Sequence, residues 1–234
     1  MFERLRHQVT PDERLRLARV PTDNLEAHRL AAEARRHLDL RSPDSMRSAL
    51  ECFENAVAMD PDFAVAWVGI ADTLGLQFAY GHATPDVLTR AGAAIRTALE
   101  ADPHCAEAHA AQGRFHGQFK DEKNARQSLR RAVELKPGYA EAHNWLTVGY
   151  QISGHIEAAG DSSRRAAALN PLSVEAVSNS ASALLYSGDP ARALPIVEKV
   201  LEREPGYGTA TFFAALAQYR NATHLCTINK FQRL

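Results

Sequence analysis

The sequence is poor in reactive and strongly charged features. Its three cysteines, Cys52, Cys105 and Cys226, are odd in number, far apart and form no C-x-x-C pair. That argues against a disulfide framework and points to a reducing, cytoplasmic setting. Excess charge is lacking too: 27 basic against 28 acidic side chains leave a net charge of -1. No global field draws nucleic acid or an anionic membrane, so neither is expected as a partner. The Arg-rich opening (Arg4, Arg6, Arg14, Arg16, Arg19) is interleaved with Glu3, Asp12 and Glu13 and reads as a solvated helical face. No apolar run is long enough to span a bilayer, and MFERLRHQVT lacks the apolar stretch of a secretory signal. There is no H-E-x-x-H and no G-x-S-x-G, and Gly206-Tyr207-Gly208 has no Lys-Ser/Thr after it to make a phosphate loop. No catalytic residue and no cofactor can be assigned, and an enzyme is not expected.

What is abundant is alanine at fixed spacing. Five prolines end polar steps: Asp60-Pro61, Asp102-Pro103, Lys136-Pro137, Asn170-Pro171 and Glu204-Pro205. The last four follow one another at intervals of 34 residues, and the first interval is 42. Counting from each proline, position -12 is always alanine: Ala49, Ala91, Ala125, Ala159, Ala193. Position -5 is Ala56, Ala98, Ala132, Ala166 or Val200, and position +5 is Ala66, Ala108, Ala142, Ala176 or Ala210. Position +10 is again small: Ala71, Gly113, Thr147, Ala181, Ala215. Two helices approach to about 8–10 Å only where small side chains face each other. Bulky neighbours such as Phe53, Leu74, Ile95, Leu129 and Val197 then fill the grooves. A proline cannot continue a helix but suits the turn between two.

The 34-residue period, the alanine columns and the terminal proline resemble the tetratricopeptide repeat, from about Asn24 to about Arg220. The resemblance implies an all-α, right-handed superhelical solenoid of antiparallel helix pairs. The register then predicts first helices near 25–38, 64–77, 106–119, 140–153, 174–187 and 208–220. Second helices are expected near 44–60, 87–102, 123–136, 157–170 and 190–204. Residues 1–23 are expected to hold a short helix over 11–19 and a linker, with Thr22, Asp23 and Asn24 able to cap the first repeat helix. The eight extra residues of the first interval fall around 80–85. The array is about five helix pairs plus one unpaired helix, and 221–234 is expected to be an irregular tail. Residues 15–40, with FENAVAMDPDFAVAW and LKPGYAEAHNWL, further resemble the repeat region of bacterial multidomain regulators that carry cyclase, winged-helix or kinase domains. That implies a regulatory or interaction segment and no catalytic activity of its own.

His104, Cys105, His109 and His116 lie close in sequence and are the types that ligate zinc. However, His109 and His143 hold the register place that Trp67 holds elsewhere, which marks a packing position, so no metal site is expected. In this family the first helices line a concave face that takes a peptide or protein. The register places Asp72, Arg114, Gln118, Asn144, Val148, Gln151, Ser178, Ser182 and Tyr186 on that face, continued by Phe212 and Tyr219. Ala110 and Trp145 stand where a carboxylate-clamping groove would need polar groups, so the expected ligand is read by amides and aromatics. The array is expected to stop near Arg220, leaving Phe212, Phe213 and Leu216 uncovered and able to drive self-association.

Overall fold

The computed structural model describes residues 21–81 and 86–231, with side chains described through residue 223. The helix expected over 11–19, the Arg-rich opening and most of the inserted loop, 82–85, lie outside the described residues. Among the described residues there are eleven helices and no strand. They are α1 (Leu25–Asp39), α2 (Pro43–Met59), α3 (Ala64–Ala79), α4 (Val87–Ala101), α5 (Ala106–Gln118), α6 (Glu122–Leu135), α7 (Ala140–Ile152), α8 (Ile156–Leu169), α9 (Val174–Tyr186), α10 (Pro190–Arg203) and α11 (Gly208–Phe231). The chain divides into two compact units, Met1–Pro103 and His104–Leu234. Inside the first, α1 pairs with α2, α3 with α4, and α2 packs on α3. Inside the second, α5 pairs with α6, α7 with α8 and α9 with α10, while α11 packs on both α9 and α10.

Five of the helix starts are capped by short polar side chains. Asn24 Oδ1 accepts from the backbone N–H of Glu26 and Ala27, both at 3.1 Å. Ser42 and Ser45 form a reciprocal capping box ahead of α2. Asp121, Ser173 and Asp189 cap α6, α9 and α10. Each such cap satisfies a donor the helix cannot pair internally, contributing about 1 kcal/mol. Of the three expected caps before α1, Asn24 acts alone. Thr22 instead donates to the Asp60 carboxylate at the far end of α2.

The helix ends explain the prolines. The N–H of Asp60 donates to Ala56 O, that of Lys136 to Ala132 O, that of Asn170 to Ala166 O and that of Glu204 to Val200 O. Each of these residues then accepts from the residue three places on: Phe63, Tyr139, Ser173 and Tyr207. That is a four-residue turn with proline second, the place its fixed φ suits best. The turns within pairs need the opposite hand. Gly154 and Gly188 take φ of 74° and 87°, as glycine allows. Lys120 stands at the same register place and still adopts φ 58°.

The alanine columns at -12, -5 and +5 are buried in every repeat. Position +10 is buried in the first four repeats and exposed at Ala215. A Cβ added to Gly113, the +10 residue of α5, would meet Leu129 of α6. Column +10 therefore faces the helix's own pair-mate, and α11 has none among the described residues. The end of the chain also differs from expectation. The stretch after 220, expected to be irregular, continues α11 in one helix to Phe231. Between Thr209 and Phe231 there is neither glycine nor proline to stop it.

Candidate functional site

Three first helices of the second unit, α7, α9 and α11, are joined edge to edge by polar side chains. Asn144 Nδ2 of α7 donates to Glu175 Oε1 of α9 at 2.9 Å, and Asn179 Nδ2 donates back to Asn144 Oδ1 at 2.9 Å. Two turns further along, Gln151 Nε2 donates to Ser182 Oγ at 2.7 Å, and Ser182 Oγ donates to Asn179 O. From α11, Arg220 donates to Leu185 O of α9. Asn144, Asn179 and Ser182 of this ladder are buried, Gln151 is half-buried and Glu175 is exposed, so losing a partner costs most at the buried members.

The ladder changes the reading of several expected groove residues. Asn144 is buried, and Ser178 and Ser182 have no exposed surface at all. None of the three presents a surface to a ligand. Asn144 and Ser182 form part of the seam between repeats. Val148 and Gln151 stay half-buried, Arg114 is half-buried in α5, and Gln118 is exposed at its end. Asp72 is half-buried in the first unit. Tyr186 remains 49% exposed.

An open stripe lies beside the seam. On α7 it runs through Glu141, Trp145, Val148 and Ile152, spaced four, three and four residues apart and so on one helix face. Trp145 is 39% exposed and Ile152 62%. In the sequence Trp145 stands out only as a residue unsuited to a charged clamp, and its apolar character hides its exposure. On α11, Phe212 and Tyr219 are 60% and 67% exposed, with Ala215 between them. Phe213 and Leu216, expected to be uncovered with them, instead pack against Ala181, Leu185, Ala193 and Val197.

The comparisons agree with this geometry. The tetratricopeptide repeat family model matches residues 88–140 and 178–224. Those two stretches of the chain are similar to tetratricopeptide repeats. Among solved structures it is similar to TTC0263, a thermophilic tetratricopeptide protein of Thermus thermophilus, at 24% identity and a TM-score of 0.58, covering 82% of this chain and 99% of that one. It is similar to YrrB, a tetratricopeptide protein with an unusual peptide-binding site, at 19% identity and a TM-score of 0.51, covering 80% and 90%. MamA from Desulfovibrio magneticus RS-1, from its residue 41 to its end, aligns at 19% identity and a TM-score of 0.53, covering 80% and 99%. At these identities the likeness is one of fold. No curated protein matches the chain.

The repeat register also accounts for the conspicuous ring side chains. Trp67 and His143 both stand six residues after the turn proline. Trp67 Nε1 donates to Pro61 O at 2.8 Å, and His143 Nε2 lies 2.9 Å from Pro137 O. The carbonyl can only accept, so the His143 proton sits on Nε2. Burial holds this imidazole below its ordinary range, with the Pro137 carbonyl opposing and Arg165 adding to the shift. Each ring borders a recess of about 330 Å³: Arg130, Val133, Leu146 and Arg165 around His143, and Glu54, Val57, Ile70 and Arg90 around Trp67. Recurrence at one register marks these recesses as products of repeat packing. In the recess at Trp67, the Arg90–Glu54 ion pair at 3.0 Å lies across the lining. His116 Nδ1 lies 3.4 Å from Asp121 Oδ2, and the His104, Cys105, His109 and His116 set does not converge. No helix among the described residues is long and apolar enough to cross a membrane.

Proposed function

We propose that the chain is a protein-interaction module rather than a catalyst, and that the first helices of its second unit receive a peptide or protein partner. The observation that carries this is the stripe of Trp145, Val148 and Ile152 on α7 with Tyr186 on α9: large apolar side chains left open on helices held in place by the buried amide ladder. Exposed apolar groups on a rigid support match the anatomy of binding hot spots, in which Trp, Tyr and Arg dominate. Arg114 and Gln118 on α5 supply polar groups on the preceding first helix. A repeat protein of this fold, YrrB, has a peptide-binding site, which supports the same use here. Selection from a displayed peptide library tests the reading. Enriched peptides should bind the native chain and lose at least about tenfold on Trp145→Ala with Tyr186→Ala, the loss expected of hot-spot side chains. Arg114→Glu should weaken acidic peptides further. Enriched peptides that bind the variants unchanged would refute the assignment.

A second reading rests on α11. Phe212, Ala215 and Tyr219 occupy the face where a pair-mate would pack, which supports self-association through that helix. Light scattering across concentration distinguishes the two, since only self-association depends on protein concentration. The reading as a regulatory segment of a bacterial signalling protein rests on the resemblance of residues 15–40, and the neighbouring coding sequence tests it.

A further inference from the structure

We infer that Glu33 and His37 of α1 and Cys52 of α2 form a binding site for a thiophilic divalent transition-metal ion of the zinc type. The donor atoms of the three side chains all lie within 4.8 Å of one another. Glu33 and His37 are four residues apart, so one helix face presents both, and Cys52 comes from the facing pair-mate. All three are half-buried, sheltered yet reachable. Neither the repeat columns nor the ion pairs on this face require a histidine beside a free cysteine.

The donor set is selective. Thiolate and imidazole together favour zinc-type ions, whereas calcium and magnesium prefer oxygen alone. Around a tetrahedral zinc ion, bonds of about 2.0–2.3 Å place the ligand atoms about 3.3–3.7 Å apart. The observed spread of up to 4.8 Å is wider than that, so binding would draw the three side chains together. Three protein ligands leave a fourth position for water, and the site is electrically balanced: two charges on the ion, one on Glu33 and one on the Cys52 thiolate. Arg29 Nη1 donates to Glu33 Oε2 at 2.9 Å, which orients the carboxylate and leaves Oε1 for the ion. The free Cys52 thiol is held above its ordinary range by burial and by Glu33 and Glu51, with Arg29 opposing. Binding therefore breaks the S–H bond, forms the sulfur–metal bond and releases one proton to solvent.

Titration of the purified chain with Co2+ tests the site, because cobalt reports its ligands. The expected result is a thiolate-to-cobalt charge-transfer band saturating at one equivalent, displaced by Zn2+, absent in Cys52→Ser and retained in Cys105→Ser. Glu33→Gln and His37→Gln should each weaken binding by at least about tenfold, the scale on which loss of even an outer-shell partner acts. In the native chain, Zn2+ should also protect Cys52 from alkylation, a readout that needs no variant to fold. Absence of the band, its survival in Cys52→Ser, or alkylation of Cys52 unaffected by Zn2+ would overturn the assignment.

Discussion

Two glycines of α3 respond to the same substitution with opposite sign. Gly69 faces Phe53 of α2, and a Cβ built there would stand well under 3.0 Å from three carbons of the ring. Phe53 is fully buried, so the ring has nowhere to turn. Overpacking of this kind costs about 1–3 kcal/mol, and a hemmed-in ring puts it near the top of that range. Replacing a mid-helix glycine by alanine returns about 0.8–1.0 kcal/mol of helix propensity. The net for Gly69→Ala is a loss of about 2 kcal/mol, or about 10 °C in the melting temperature of a unit this size. Gly75, one and a half turns on, has nothing within 4 Å of the same added atom. Gly75→Ala therefore keeps the propensity gain and should stabilise by about 0.5–1 kcal/mol. Denaturant unfolding measures both. A Trp145→Phe background leaves Trp67 as the one tryptophan, so fluorescence follows the first unit. Adding Phe53→Leu to Gly69→Ala should recover part of the loss, since the shorter side chain makes room. Equal shifts of one sign for the two alanine variants, or no rescue by Phe53→Leu, would refute the packing argument.

Other substitutions probe the second unit. Asn144→Ala strands the buried Asn179 amide and also loses the bond to the exposed Glu175, and should cost about 1–3 kcal/mol, read by thermal unfolding. Ser178→Ala should do the reverse: Ser178 Oγ is buried with no hydrogen-bond partner, and deleting it should stabilise by about 1 kcal/mol. His143 sets a pH dependence. Its folded-state pKa lies below the ordinary 6.5, so the unfolded chain takes up the proton first. The stability it contributes is complete above about pH 6.5 and falls as the pH drops below that value. His143→Phe should flatten this part of the pH–stability curve, and an unchanged curve would count against a buried neutral imidazole.

The repeat is legible in the chain without its fold. Period, alanine columns, turn prolines and caps are local in origin: each encodes a helix end or a close approach that chemistry dictates within a few residues. The structure adds what depends on neighbours 31 to 35 residues away. Asn144, Ser178 and Ser182 read as solvated polar side chains because helical periodicity does not reveal their burial, which for Asn144 and Ser182 comes with bonds to a neighbouring first helix. Ala215 obeys its column yet is exposed, because burial there depends on a pair-mate, not on the residue. Lys120 takes a left-handed turn that sequence would assign to glycine, since the packed helices on either side dictate the path between them. The approach of Cys52 to Glu33 and His37 is likewise a product of helix pairing. Tertiary packing decided which side chains remain open for a partner, because exposure is a property of the surface a neighbour leaves uncovered.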